Sequence, residues 1–150
     1  LIGWLKRIGE YRSLTLMFQK EVADRIVAGT RTNAYGRLAV MAQWLAHCRN
    51  LYDLPARAFT PPPKVDSAVV HLTPRDRPAD DPDFATMEAL VGAAFGQRRK
   101  MLRASLKSVM KEPEPLLLSV GIVPTARAEE IDVAGFVALA KAWKASRNAD

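Results

Sequence analysis

Phe59-Thr60-Pro61-Pro62-Pro63-Lys64-Val65-Asp66-Ser67-Ala68-Val69-Val70 is the stretch that decides how this chain folds. Three consecutive prolines cannot lie inside a helix or a central strand, because each ring fixes φ and removes a backbone donor. The β-branched run that follows reads as a strand, predicted over Ser67 to Thr73. Phe59 is thereby held on a stiff, extended segment at the start of a strand, an arrangement from which binding pockets are often built. The same residues also read as a proline-rich linker with Phe59 tucked beneath it. Physics alone leaves the two readings level.

Working outward toward the N-terminus, residues 1–9 are helical by pattern. Leu14 to Phe18 is a nearly continuous apolar run, which suits a strand covered on both faces of a mostly parallel sheet. Gln19 to Ala28 returns to helical spacing. Gly29 to Asn33 is loop chemistry, with Asn33 a candidate cap for the next helix. Leu38, Met41, Ala42 and Leu45 then mark an apolar face running through His47, and Arg49 to Leu54 reads as a short strand. This order of elements predicts the closing half of a doubly wound α/β sheet.

Toward the C-terminus, Pro74 to Pro82 is polar and proline-punctuated, a linker by composition. Everything beyond it has helical period. Asp83 is placed to cap a helix from Phe84 to Phe95, with Met87, Leu90 and Val91 on its buried stripe. A basic helix is predicted from Arg98 to Lys111, with Leu102, Leu106 and Val109 inward. Pro113 and Pro115 end that helix and start a short one, Leu116 to Val120, which Gly121 stops. The last helix spans about Val133 to Ser146. The expected fold class is therefore α/β over residues 1–77, followed by a small all-helical domain over 78–150, with the boundary near 78.

One hundred and fifty residues, about half of them apolar, suffice for one ordinary domain or two small ones. No apolar run approaches the ~20 residues that span a bilayer. The single Cys48 excludes an internal disulfide and fits a reducing compartment, so a cytoplasmic protein is expected. Cys48 reads as a buried structural thiol. With one cysteine and two separated histidines, His47 and His71, no metal-ligand cluster is expected. The net charge of +6 equals the six positive charges of Arg98, Arg99, Lys100, Arg103, Lys107 and Lys111, among which no acid intervenes. A localised basic patch is the footprint of a nucleic-acid partner. A solvated helix face is the competing reading, but like charges at i,i+4 spacing repel, a cost that makes better sense where phosphates occupy them.

Four segments, taken in order, carry a resemblance. They are Leu16-Met17-Phe18-Gln19-Lys20-Glu21-Val22-Ala23 with Arg25; Tyr35-Gly36-Arg37-Leu38-Ala39-Val40; the Phe59 to Ser67 segment; and Phe95-Gly96-Gln97-Arg98-Arg99-Lys100-Met101-Leu102-Arg103. Together they resemble the ribosomal RNA adenine N6-dimethyltransferases, a family that includes the erythromycin-resistance methylases. Ala39 departs from the family, where serine is common. Residues 76–83 match least. The family's Gly-rich cofactor turn and its Asn-Leu-Pro-Tyr-like tetrapeptide are both missing; Asn50-Leu51-Tyr52 comes too late and lacks the proline. Leu1 opens inside a helical pattern with no cap ahead of it. The expectation is the C-terminal part of a longer enzyme, preceded by a Rossmann-like cofactor-binding part.

The resemblance implies a function: S-adenosylmethionine-dependent dimethylation of adenines in small-subunit (16S) ribosomal RNA during ribosome biogenesis, on a pre-30S particle. No cofactor-binding residue is expected in this chain, and the chain alone is expected to be inactive. Phe59 would stack on the target adenine, with Pro61, Pro62 and Pro63 stiffening its backbone. Lys64 would reach a phosphate or else remain a solvated loop lysine. Arg98, Arg99, Lys100, Arg103 and Lys107 would bind ribosomal RNA phosphates. Gln19, Lys20 and Glu21 stand at a strand-to-helix junction, and structural roles there are favoured over catalytic ones. Competing readings are a non-catalytic RNA-binding module, a helical domain meeting acidic protein partners, and a large-subunit methylase of the resistance type. An unpaired edge at Leu14 to Phe18 predicts self-association, or disorder in residues 1–30.

Overall fold

The computed structural model describes residues 1–149. The elements run α1 (Ile2–Lys6), β1 (Leu14–Gln19), α2 (Lys20–Ile26), α3 (Arg37–Leu45), β2 (Ala46–Leu54), β3 (Ser67–Pro74), α4 (Phe84–Gly96), α5 (Leu102–Ser105), α6 (Pro113–Ser119) and α7 (Val133–Ala149). Residues 1–30 form helix, strand and helix, not a disordered tail, and Leu5, Ala23 and Ile26 are buried.

The three strands form one sheet in the order β1-β3-β2, with β3 antiparallel to both neighbours. This corrects the expectation of a mostly parallel sheet. β3 enters between β1 and β2, so the two strands that run the same way never touch. The burial of β1 is also corrected. Its residues alternate between half-buried and exposed, and Met17 is 55% exposed, because helices cover only one face. Leu16, Val70 and Asn50 share one face of the sheet, while Met17, Val69 and Tyr52 share the other. A bulge in β2 between Asn50 and Tyr52 places an extra residue, Leu51, outside the ladder.

Several element ends differ from the sequence reading. α3 stops at Leu45 and β2 begins at Ala46, so His47 and Cys48 belong to the strand. Asn33 does not cap α3, which begins after Gly36 with no side-chain cap. Gln43 instead caps α2 from a distance, donating its amide to the carbonyls of Ile26 and Ala28 at 2.9 and 2.8 Å. His71 shares the open face of the sheet with Thr15, its Nδ1 lying 2.9 Å from the Thr15 hydroxyl across the strand pair. Asp83 caps α4 as expected, accepting from the Thr86 N–H. Gly121, at φ +76°, terminates the turn after α6 in a conformation that side chains disfavour.

Residues 75–82 are irregular, as their composition implies, but they are strapped onto α3. Trp44 donates its indole N–H to Asp81 at 2.9 Å, Arg77 donates to the same carboxylate, and the Arg77 guanidinium covers the Trp44 ring. The buried residues form one continuous cluster, from Leu5 through Val70 and Leu72 of β3 to Leu90 of α4 and Phe136 and Leu139 of α7. Tyr35 sits within it, its ring edge-on to Phe95 and its hydroxyl donating to the Ile131 carbonyl at 2.7 Å.

Candidate nucleic-acid interface

β1 ends at Gln19, β2 ends at Leu54 and β3 begins at Ser67, and both Gln19 and Leu54 pair with Ser67. All three ends therefore meet at one edge of the sheet. The strand-to-helix junction Gln19–Glu21 and the proline-bearing loop, far apart in sequence, are brought together there. A 3₁₀ turn at Ala56–Ala58 leads out of β2, and Phe59 follows it. Thr60–Pro61 is a cis peptide bond. Pro61, Pro62, Pro63 and Lys64 are exposed, whereas Phe59 is half-buried.

Asp66 fastens this loop at both of its ends. Its carboxylate accepts the Ala56 N–H at 2.9 Å, and its carbonyl accepts the Lys20 N–H at 2.9 Å. The Lys20 ammonium in turn bridges Asp24 at 3.1 Å and Asp53 at 3.3 Å, joining α2 to the end of β2. Asn50 donates to Asp53, and with Lys20 holds that carboxyl below the usual carboxylate range. Glu21 pairs with Arg25 one turn along α2. The sequence assigns no role to Asp66 or Asp53, and for Lys20 it favours a structural one. Only the aspartate immediately before the β3 run carried a signal, since such residues tie turns to strand starts.

The basic segment is built differently from its expectation. Arg98 to Lys111 is not one helix: a turn over Gln97–Lys100 leads to α5, and a 3₁₀ turn, Leu106–Ser108, follows. The cause is a competing set of backbone bonds. Met101 bridges to Arg127, and the N–H groups of Leu102 and Arg103 donate to Ala126 and Pro124. Arg98 is engaged within the fold, donating to the Glu129 carboxylate at 3.2 Å and to the Thr32 carbonyl at 3.3 Å. Arg103 approaches Glu114 at 4.0 Å. Arg99, Lys100 and Lys107 are exposed, with no ion-pair partner among the described residues.

Burial pushes the Cys48 thiol up to about 11, which keeps it protonated and unreactive. Among the described residues no group of three or more His, Cys, Asp or Glu side chains is placed to hold a metal. No helix among them is long and apolar enough to cross a membrane.

The family profile described as ribosomal RNA adenine dimethylase matches residues 3–144. The chain belongs to that family. It is 56% identical over 149 residues to the ribosomal RNA small subunit methyltransferase A of Phenylobacterium zucineum, covering 99% of this chain and 52% of that protein. It is 55% identical over 145 residues to the protein of the same name from Paramagnetospirillum magneticum, covering 97% of this chain and 51% of the relative. The chain thus spans about half the length of the curated relatives it matches. Among solved structures, a dimethyladenosine transferase from Plasmodium falciparum superposes with a TM-score of 0.74 at 22% identity, covering 92% of this chain and 60% of that one. The 23S ribosomal RNA methyltransferase ErmE gives a TM-score of 0.62 at 25% identity, covering 95% and 59%. The antiparallel three-stranded sheet with its helices is accordingly a portion of a methyltransferase fold.

Proposed function

We propose that this chain is the C-terminal part of an S-adenosylmethionine-dependent enzyme that dimethylates adenines of small-subunit ribosomal RNA in a pre-30S particle. The sheet continues a Rossmann-like cofactor-binding part, and residues 78–150 act as its RNA-binding region. The small subunit is favoured over the large because the relatives at 55–56% identity carry that name, against 25% for ErmE. The observation that carries the reading is the Phe59 loop: an aromatic ahead of three prolines, fastened at both ends by Asp66 to the edge of the sheet.

When bound, the cofactor supplies a methyl group already activated on a sulfonium, so no general-base pair is required of the protein. No cradle for it is expected of the chain's own residues. At the one β1–α2 junction there is no glycine, and the Lys20 N–H is already donated to Asp66. What they offer is the adenine side. A base drawn out of its stack is gripped by an aromatic face, and Phe59 is that face. The clasp at Asp66 and the prolines leave little conformational freedom to lose on binding. Lys64, Arg99, Lys100, Arg103 and Lys107 supply exposed cations for phosphates, which position more than they specify. Arg98 contributes by holding the turn that presents them. The free edge of β1 pairs with another strand, and in isolation that strand comes from a second copy of the chain.

The test is Phe59→Ala in the full-length enzyme, assayed for methyl transfer to undermodified small subunits. Stacking on a base is worth about 1–3 kcal/mol, so the rate should fall roughly 5- to 150-fold while particle binding is largely kept. An unchanged rate removes Phe59 from the adenine site.

A further inference from the structure

A second feature lies away from the Phe59 loop. Between α2, the start of α3 and the turn after α4 there is an open cleft of about 470 Å³, within the size range of small-ligand sites. Arg25, Arg37 and Arg98 line it, together with the apolar side chains of Ile2, Leu38 and Phe95, and no Asp or Glu is among its lining residues. The three arginines come from separate elements and are gathered only by folding. Two of them rest against glycines: a Cβ on Gly36 would lie 3.7 Å from the Arg98 guanidinium, and one on Gly92 would lie 3.8 Å from that of Arg37. Both distances are ordinary van der Waals contact, so each guanidinium packs directly on a glycine backbone.

Each arginine has a carboxylate partner, Glu21 for Arg25, Glu88 for Arg37 and Glu129 for Arg98, and none of those carboxylates lines the cleft. The Arg37–Glu88 contact is long, at 3.7 Å, and both Arg25 and Arg37 are more than half exposed. Such solvent-exposed pairs are weak and leave most of the five guanidinium N–H donors free. Planar guanidinium forks match phosphate oxygens, and a strip of apolar side chains beside them suits the ribose and base of the same nucleotide. α3 adds to the positive field, for it starts at the cleft without a side-chain cap and with no acid in its first turn.

We propose that this cleft receives one phosphodiester group of the RNA strand, with its nucleotide lying on Leu38 and Phe95. The proposal rests on the reading of this chain as RNA-binding, and it places a contact outside the Arg99–Lys107 patch. A peptide carboxylate would use the same forks but would leave the nucleotide-sized apolar strip unexplained.

The experiment is a salt titration of binding to a labelled oligouridylate, using the 150-residue chain, its Arg25→Gln/Arg37→Gln variant and an Arg12→Gln/Arg147→Gln control. The control loses the same charge at residues that do not line the cleft. Each phosphate neutralised on a single strand contributes about −0.7 to the log–log slope. The cleft variant should therefore be shallower than wild type by about 0.7, and the control should keep the wild-type slope. In wild type, the arginine Nε–Hε NMR signals of Arg25 and Arg37 should shift on adding oligouridylate and not on adding equivalent sodium chloride. That measurement needs no variant to fold. Equal slopes for wild type and cleft variant, or unmoved arginine signals while RNA binds, overturn the cleft alone. Failure of wild type to bind the oligonucleotide at all overturns the cleft together with the RNA-binding reading.

Discussion

The carboxylate of Asp83 accepts three hydrogen bonds at the start of α4: from the Thr86 N–H at 3.1 Å, the Thr86 hydroxyl at 2.7 Å and the Lys144 ammonium at 2.8 Å. Lys144, then Thr86, hold it well below the usual carboxylate range. The sign of the consequence follows from which state protonates first. Unfolded, this carboxyl takes up a proton near pH 4; folded, it resists. Its contribution is complete above about pH 4 and is lost as pH falls through the depressed folded value. Asp83→Ala should cost about 1 kcal/mol at neutral pH, the usual price of a lost cap. Asp83→Asn keeps a capping oxygen and should cost clearly less. In urea unfolding, the gap between wild type and Asp83→Ala should narrow between pH 7 and about pH 2.5. A variant as stable as wild type at pH 7 would show that the cap is idle.

At the scale of elements, β1 has one neighbour and one open side. It is six residues long, and Met17 adds an exposed apolar side chain to it. An edge of that kind recruits other strands, and natural edges are blunted with lysine. The isolated chain should form dimers or larger species as its concentration rises, and Thr15→Lys/Met17→Lys should reduce this. Light scattering that reports a wild-type monomer throughout the range would refute the edge as a pairing site. The chain's pattern announced β1, but not its partner. The β-branched run at Val69 and Val70 marks a strand, whereas its insertion between β1 and β2 depends on the return path through the Phe59 loop. Helices were legible where a cap and an apolar stripe agreed, as in α4 with Asp83, Met87, Leu90 and Val91. They were misread where long-range backbone bonds intervene, as at Met101–Arg103, whose partners at Pro124–Arg127 carry no local signal. The candidate site divides in the same way. Phe59, the prolines and the exposed cations are visible as residue types, but Asp66 as a clasp and Arg98 as a tie to Glu129 emerge only from contacts across the chain.

Over the whole molecule, the question is whether the sheet and the C-terminal helices stand or fall together. Their buried residues form one cluster, and Tyr35, 1% exposed, anchors the loop before α3 to the carbonyl of Ile131 before α7. Burial pushes the Tyr35 hydroxyl up to about 12, so it remains a donor where an ordinary tyrosine would ionise. Because the folded value is the higher one, its contribution is complete below about pH 10 and declines as pH rises from there. Tyr35→Phe removes the donor but keeps the ring against Phe95, leaving the Ile131 carbonyl without that partner, at a cost of about 1–3 kcal/mol. A shared core predicts that this loss is felt on both sides of it. Hydrogen exchange should speed up in β3 and in α7 by similar factors, and thermal unfolding should remain one transition at a lower midpoint. Were α7 alone to loosen, with β3 protected as in wild type, the helices after residue 78 would be a separately folding unit and the Tyr35–Ile131 bond a contact between two units, not part of a common core.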